Sequence, residues 1–368
     1  MPPDHSPFAA ITGWGKCLPP ISLSNADLST ILATSDDWIA KRTGIRRRPI
    51  SHVAVSELAH VASARAIACA GLDPKDVELV ILGSCTGDDQ MPNTASRVQR
   101  SLGAKHAAAM DVNTACTSFM YAFSVGSALI RTGAVRNAVV IGADTLSRYM
   151  DWTNRGPAVI FGDGAGAIVL QGVAKQSGIV GEVLGCDTTD RDMLRINGMN
   201  TYPSDMQLTP GTISWVFNGP EVFRQAVTGM VAAARNVMNK CAISIDDIDL
   251  VVPHQANLRI IESVSRRLNI PRDRVYANVE RCGNLSSASI PVALVDALEE
   301  GRISARTMLL IPAFGGGLTW SAHIVRWGPR VTALGTCVLE LPRTDKTGLD
   351  LVRELRTRRE TVRPESPP

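Results

Sequence analysis

Asp76-Val-Glu-Leu-Val80 returns further along the chain as Asp247-Ile-Asp-Leu-Val251. Two more matches keep the same order and very nearly the same spacing. Arg136-Asn-Ala-Val-Val-Ile-Gly142 returns as Arg306-Thr-Met-Leu-Leu-Ile-Pro312. Ala128-Leu-Ile-Arg-Thr-Gly133 returns as Ala297-Leu-Glu-Glu-Gly301. The Gly-rich Phe161-Gly-Asp-Gly-Ala-Gly166 has a looser counterpart in Phe314-Gly-Gly-Gly317. Collinear matches at a nearly constant offset mark an internal duplication.

Within each copy, short apolar runs alternate with Ala- and Leu-rich stretches. The runs are Val77 to Gly83, Ala138 to Gly142, Ala167 to Leu170, Asp249 to Val252, Met308 to Pro312 and Ala322 to Val325. The helical stretches include Ser56 to Ala70, Asn93 to Leu102, Thr117 to Thr132, Gly219 to Asn239, Asn257 to Leu268 and Ser289 to Glu300. Such alternation predicts an α/β protein with mostly parallel sheets covered by helices. The duplication divides it into two similar halves, residues 1–174 and 175–330, joined near 172–180. Asp187 to Thr212 has no clear period and is expected to form loops and a short hairpin. Residues 331–368 form a charged extension. It is expected to hold one amphipathic helix, with Leu349, Leu351, Val352 and Leu355 on its apolar face, and then a disordered tail. The arginines there read as a solvated helix face.

The chain has 368 residues, 45% hydrophobic and 20% charged, with net charge +3. That suits a globular protein with a sizeable core and is too weakly basic for a nucleic-acid partner. No signal peptide and no membrane-spanning apolar run is visible. The eight cysteines lack Cys-x-x-Cys pairs and metal-ligand spacing to a His, so no metal is expected. They read as reduced thiols of a cytoplasmic protein, and Cys17, Cys69, Cys85, Cys186, Cys241 and Cys337 read as small core or surface residues.

Three residues stand apart. Cys116, in Asp111-Val-Asn-Thr-Ala-Cys-Thr-Ser-Phe119, opens a helical run. The offset that carries Gly133 onto Gly301 carries Cys116 onto Asn284 in Cys282-Gly-Asn-Leu-Ser-Ser-Ala-Ser289. His254 follows the apolar run Leu250-Val-Val-Pro253, and its duplicate position is Gly83. Ligand sites in α/β sheets gather at strand C-termini. A thiol, an imidazole and an amide there would make a nucleophilic acyl-transfer site. The helix start is expected to stabilise the Cys116 thiolate. Backbone N–H groups of Cys116 and the Gly315-Gly316-Gly317 turn would serve a developing oxyanion. His254 and Asn284 are two neutral donors suited to an enolate oxygen.

Thr34-Ser-Asp-Asp-Trp-Ile-Ala-Lys-Arg-Thr-Gly-Ile45 resembles the N-terminal signature of the beta-ketoacyl-ACP synthase III family. The Cys116 segment, Phe161 to Gly166, Val252-Pro-His-Gln-Ala-Asn257, Gly283-Asn284 and Ala313-Phe-Gly-Gly-Gly317 resemble its remaining motifs in order. The resemblance covers roughly residues 8 to 328. It implies the thiolase-like fold, an internally duplicated five-layer α/β/α/β/α arrangement, and a homodimer. It implies that Cys116 takes an acyl group from acyl-CoA, with the N–H groups of Cys116 and Gly316 as oxyanion hole. His254 and Asn284 then support decarboxylative condensation with malonyl-ACP to a 3-oxoacyl-ACP in fatty acid biosynthesis, with no permanently bound cofactor. Trp38 and Arg42, with Thr34 beside them, would clasp the adenine end of CoA. Arg155 would meet it from the other side, Asn257 would line the pantetheine tunnel, and Phe314 would gate the site. Arg224 and Arg259 would attract the acidic carrier protein.

The chain departs from the family at two places. Ser118 stands where a Gly is common, which is expected to reshape the helix start and the acyl pocket. Met91 stands where some members carry a bulky aromatic reaching across the dimer, which implies a primer longer than acetyl, of medium chain. A same-fold condensing enzyme or acyltransferase of specialised metabolism, making a quinolone, polyketide or ester, fits the same residues, since the acceptor decides. A degradative thiolase would need a second Cys near the C-terminal Gly-rich turn, and none is there. A non-catalytic CoA- or carrier-binding protein would not need an intact Cys/His/Asn set.

Overall fold

The computed structural model describes residues 8–197 and 214–362. In chain order its strands are β1 (Phe8–Cys17), β2 (Ser22–Ser24), β3 (Arg47–Pro49), β4 (Leu79–Gly83), β5 (Ala108–Val112), β6 (Asn137–Thr145), β7 (Asp163–Val173), β8 (Gly178–Cys186), β9 (Leu194–Asn197), β10 (Ser214–Phe217), β11 (Leu250–Val251), β12 (Met308–Gly315) and β13 (Thr319–Arg326). Its helices are α1 (Asn25–Ser29), α2 (Asp36–Thr43), α3 (Val55–Ala70), α4 (Thr94–Leu102), α5 (Ser118–Arg131), α6 (Arg155–Ala158), α7 (Gly219–Cys241), α8 (Leu258–Arg267), α9 (Val279–Cys282), α10 (Ser289–Glu299) and α11 (Gly348–Val362).

Local chemistry accounts for the helix ends. Asn93 caps α4 through Ser96 N–H at 2.8 Å, and Gly103 closes it in the left-handed region. Asn257 caps α8 through Arg259 N–H at 2.8 Å. β4 and β12 are buried along their whole length, as strands covered on both faces must be.

Two sheets carry the duplication. One has the order β1-β7-β6-β4-β5, the other β8-β13-β12-β11. The pairing directions also match. β1–β7 and β7–β6 are antiparallel, as are β8–β13 and β13–β12; β6–β4 is parallel, as is β12–β11. Val275 bridges Val251 in parallel at the place β5 occupies in the first sheet. The expectation of mostly parallel sheets is therefore corrected to mixed sheets. β12 and β13 are joined by the tight turn at Gly315 to Leu318, and strands so connected must run antiparallel.

Three apolar clusters fill the layers. Between the sheets, Phe119, Phe123, Ile290 and Leu294 of α5 and α10 meet Ile81, Ile168, Leu309 and Ile311. Outside the first sheet lie α3 and α4, with Leu58, Ala62, Val98 and Leu102. Outside the second lie α7 and α8, with Val227, Met230, Ile261 and Val264. This gives the five layers α/β/α/β/α.

The hairpin expected within Asp187 to Thr212 extends past that range: β9 lies inside it and pairs with β10, which begins at Ser214, and the connecting stretch lies outside the described residues. The amphipathic helix of the extension is α11. Leu351 and Val352 are buried, at roughly 1.5–3 kcal/mol each. Leu349 and Leu355 pack at the edge of the same cluster, while Arg353 is solvated beside Asp350. The tail beyond Val362 lies outside the described residues.

Candidate active site

Cys116 lies half-buried just before α5, with Thr117 as the cap residue. Its turn is strained, because Ala115 is held at φ 53° in the left-handed region. Ser118 is fully buried and ties that turn off. Its hydroxyl accepts from Thr114 N–H at 2.9 Å and donates to the Ala115 carbonyl at 2.6 Å. The Ser118 side chain is thus spent on its own turn.

The end of β12 meets this turn closely. A Cβ on Gly315 would lie 2.9 Å from Cys116 N and 3.1 Å from the Thr114 carbonyl oxygen, so only glycine fits there. The backbone N–H groups of Cys116 and Gly316 both act to favour the Cys116 thiolate. Ser286 adds a third donor, its Oγ 3.5 Å from Sγ. These donors favour the thiolate, yet burial outweighs them and, with the Asp144 carboxylate nearby, pushes the thiol up to about 11. The expectation of a thiolate stabilised by the helix start is corrected: removal from water costs the anion more than the donors return.

Asn284 sits on a short bridge to Phe161, with its N–H on the Ile160 carbonyl at 3.0 Å and its own carbonyl accepting Gly162 N–H at 3.0 Å. The side-chain Oδ1 accepts Ser286 N–H at 2.8 Å. That leaves the Nδ2 amide as the donor the residue has to offer. Asn284 is not a helix cap, because α10 starts later and without a side-chain cap.

His254 follows β11, and its N–H is held by the Pro312 carbonyl at 2.9 Å, just ahead of Gly315 on β12. Gln255 fixes this turn by donating to the Pro253 and Tyr276 carbonyls (2.7 and 3.3 Å) and accepting Asn278 N–H at 2.9 Å. His254 is buried, its Nδ1 has no partner among the described residues, and burial lowers its pKa to about 4. The imidazole is therefore neutral at neutral pH, with a single ring N–H.

Three contributors escape sequence reading. Ser286, at φ 53°, lies between Cys116 and Cys85, whose sulfur is 3.8 Å from the same hydroxyl. Cys85 is thus a neighbour of the nucleophile rather than a remote core residue. Asp144, fully buried, accepts at Oδ1 from Ser84 Oγ, Cys85 N–H and Thr86 Oγ1 (3.0, 2.9 and 2.8 Å). Its Oδ2 accepts from Ser287 N–H and Oγ (3.0 and 2.7 Å), tying the Asn284 loop to the loop after β4. Buried hydrogen-bonded carboxylates have no periodicity to betray them in a sequence. Ser286 does carry a signal, since its separation from Cys116 is that of Arg306 from Arg136, the duplication offset itself.

The remaining candidates fall in three places. At one surface, the Arg42 and Arg155 guanidinium carbons lie 4.3 and 4.8 Å from the Trp38 ring centre. Arg155 also donates to the Ala33 carbonyl at 2.7 Å, beside Thr34, whose buried hydroxyl lacks a partner among the described residues. Asn257 Nδ2 donates to the Arg42 carbonyl at 3.2 Å, so it adjoins this group. Phe314 is buried at the end of β12 against Gly229. Arg259 lies over the Phe223 ring at 5.5 Å, while Arg224, on the neighbouring helix, is paired with Glu221 rather than presented alone. Met91 is 87% exposed and is not among the groups around Cys116.

Residues 110–188 match the family described as 3-Oxoacyl-[acyl-carrier-protein (ACP)] synthase III, and residues 238–327 match its C-terminal counterpart. Beta-ketoacyl-[acyl-carrier-protein] synthase III 2 of Vibrio cholerae is 48% identical over 345 residues, 94% of this chain and 95% of the relative. The chain belongs to the beta-ketoacyl-[acyl-carrier-protein] synthase III family. It is accordingly a condensing enzyme of the acyltransferase class. The synthase III of Roseiflexus castenholzii is 44% identical, covering 87% of this chain and 98% of the relative. The crystal structure of the synthase III from Aquifex aeolicus superposes with a TM-score of 0.81 at 37% identity, over 87% of this chain and all of that one. Among the described residues no cluster of three or more His, Cys, Asp or Glu is arranged to hold a metal, and no helix is long and apolar enough to cross a membrane.

Proposed function

We propose that Cys116 accepts an acyl group from acyl-CoA and passes it to the carbanion of malonyl-ACP, giving a 3-oxoacyl-ACP. The observation that carries this is the close approach of the Gly315-Gly316 turn at the end of β12 to the Cys116 backbone, where a Cβ on Gly315 would lie 2.9 Å from Cys116 N. An oxygen on a carbonyl attacked by the Cys116 sulfur falls within reach of the Cys116 and Gly316 N–H groups. In the first half-reaction a thioester bond forms to Cys116, the CoA thioester bond breaks, and the thiol proton ends on the CoA sulfur. In the second, malonyl-ACP loses carbon dioxide. The enolate oxygen is held by the ring N–H of neutral His254 and by Asn284 Nδ2, the carbanion attacks the acyl carbonyl of the acyl-cysteine, the thioester bond to Cys116 breaks, and the released thiolate takes a proton from solvent. A protonated His254 would repel no anion, but its charge is expensive in this buried place, and two neutral donors suffice.

Trp38, Arg42 and Arg155, with Thr34 and Asn257, form the clasp for the nucleotide end of CoA; the two guanidinium groups on the indole mark a stacking surface for a purine. Phe314 gates the tunnel, and Arg259 with Arg224 faces the carrier protein. Residues 1–174 then supply the nucleophile and the clasp apart from Asn257, 175–330 that residue and the His254/Asn284 pair, and 331–368 an extension. The open, partly exposed edge strand β5 supports a homodimer in which Met91 caps the partner's acyl pocket and admits a medium-chain primer.

Intact-protein mass spectrometry with acyl-CoAs from acetyl to dodecanoyl tests this. An adduct on Cys116 that is discharged by malonyl-ACP, with 3-oxoacyl-ACP formed, is the expected result. A stable adduct indifferent to malonyl-ACP would instead favour an acyltransferase with another acceptor. A same-fold condensing enzyme of specialised metabolism is the reading that a solved structure favours: the priming beta-ketosynthase of the R1128 polyketide pathway superposes with a TM-score of 0.82 at 30% identity.

A further inference from the structure

The extension after β13 does not wander over the surface. Arg330 donates to the carbonyls of Cys69 (3.0 Å) and Thr12, and Leu334 N–H donates to Cys69 O at 3.0 Å. Arg65 on α3 donates to Leu339 O at 3.1 Å and pairs with Glu340 at 2.8 Å. His52 Nε2 lies 2.7 Å from the Pro342 carbonyl. The strap therefore crosses the outside of α3 and delivers α11 to one particular place.

That place is the underside of the Trp38 group. Thr347 and Asp350 cap α11 reciprocally, with Thr347 N–H to Asp350 Oδ2 at 3.0 Å and Asp350 N–H to Thr347 Oγ1 at 3.2 Å. A Cβ on Gly348 would lie 2.9 Å from Leu23 Cδ2 and 3.0 Å from the Ser22 carbonyl, so the first turn sits directly on β2. Leu351 and Val352 enter one apolar cluster with Leu23, Leu28, Leu32, Ile39 and Trp152, and Trp38 packs at its margin. Arg155 is anchored to the same unit through the Ala33 carbonyl. β2, β3, α1 and α2 are all short, the longest of them only eight residues. Elements of that length do not hold their own shape and need a packed surface behind them. The Aquifex aeolicus structure is covered completely by 87% of this chain, so this chain carries residues that it lacks.

We propose that α11 is a positioning element for the CoA clasp, setting how strongly this enzyme prefers nucleotide-bearing thioesters over bare pantetheine-like ones. The proposal rests on the reading of Trp38, Arg42 and Arg155 as that clasp. It assigns the extension no contact with substrate. α11 acts through Leu23, Leu28 and Ile39 on the orientation of α2.

The test compares two acyl donors with the same acyl group in the full-length enzyme: octanoyl-CoA and octanoyl-N-acetylcysteamine, which has no nucleotide. Leu351→Ala/Val352→Ala is expected to raise KM for octanoyl-CoA about tenfold, the scale of a partly lost cation–aromatic stack. kcat with octanoyl-CoA and both parameters with the truncated donor stay as in the parent. Leu355→Ala, at the edge of the cluster, shows the same selectivity with a smaller rise, and keeps the question answerable if the double variant folds poorly. Equal losses with both donors, or no change in either, overturn the proposal. Trp38→Ala serves as the reference. If it leaves the donor preference unchanged, the clasp reading fails; if it abolishes the preference while the α11 variants keep it, the clasp stands and the positioning role of α11 falls.

Discussion

Replacing Ser286 by alanine isolates one contributor to the chemistry of Cys116. The hydroxyl is 3.5 Å from Sγ and favours the thiolate, against burial that holds the thiol at about 11. At pH 8 such a thiol is ionised in about one molecule per thousand. A hydrogen bond to a charged group contributes about 1.5–3 kcal/mol, and the longer reach to sulfur places this one near the lower end. Losing about 1.5–2 kcal/mol lowers the thiolate fraction roughly ten- to thirtyfold at fixed pH. The backbone is spared, because Ser286 N–H still donates to Asn284 Oδ1 at 2.8 Å and alanine tolerates φ 53° as serine does. The assay is alkylation by iodoacetamide between pH 7 and 10, following the Cys116 peptide by mass spectrometry. Exposed Cys186 in the same sample provides the internal reference. Cys116 should be modified roughly ten- to thirtyfold more slowly, Cys186 at an unchanged rate, and acyl transfer from acyl-CoA should fall with Cys116. Malonyl-ACP decarboxylation should stay within about twofold, since Asn284 keeps its partner. Unchanged or faster alkylation of Cys116 would refute the role of the hydroxyl.

Asn284→Ala should slow malonyl-ACP decarboxylation by about 10²-fold, the scale of one lost oxyanion donor, and slow Cys116 acylation far less; equal damage to both half-reactions in single-turnover measurements would make Asn284 structural. Gly315→Ala puts a methyl group 2.9 Å from Cys116 N and should cut single-turnover acylation at least tenfold, about 1.4 kcal/mol of barrier; acylation at the parent rate would remove the turn from the oxyanion site. His254 is held neutral by a pKa of about 4 against 6.5 in the unfolded chain. Its contribution to stability is complete above pH 6.5 and is lost progressively as pH falls toward 4, with about 2 kcal/mol gone at pH 5. Urea unfolding should therefore show His254→Gln gaining about 2 kcal/mol on the parent between pH 7.5 and 5. The opposing contribution of Asp163, raised to about 6 by burial, is common to both proteins and cancels in that comparison. A difference that does not change with pH would mean that folding leaves the imidazole pKa unshifted.

What is legible in the sequence is whatever repeats. The paired runs at Asp76 and Asp247 point to two equivalent sheets, but α5 begins at Ser118 and α10 at Ser289, and that offset of 289 − 118 = 171 carries Cys116 onto Ser287 and corrects the expected match with Asn284. Strand direction is not legible, because an apolar run such as Met308 to Pro312 is compatible with either sense, and the hairpin into β13 depends on a turn of three glycines. The ionisation of Cys116 escapes sequence reading for a similar reason. A helix start is local and visible in sequence, whereas burial and the approach of Asp144 depend on segments far away along the chain. Asp144 also lies beyond pattern reading, since its hydrogen bonds join loops of different halves.

These buried groups explain why the site rests without charge. Cys116 is held as a thiol, His254 as a neutral imidazole, and Asn284 cannot ionise. The one carboxylate against them, Asp144, has its two oxygens taken by five donors. A resting ion here would have to be desolvated each time a thioester entered, and would bind a neutral acyl group no better than its transition state. Donors that wait for charge behave differently. In the proposed mechanism the Cys116 and Gly316 N–H groups gain most when an oxyanion develops, and His254 with Asn284 gains most when an enolate does. One copy of the duplicated fold supplies the helix start that presents the sulfur. The other supplies, from the loop ahead of α10, an amide that cannot compete with it as a nucleophile. The two supports differ, since Cys116 lies directly before α5 while Asn284 is held on a bridge to Phe161 with a short turn between it and α10.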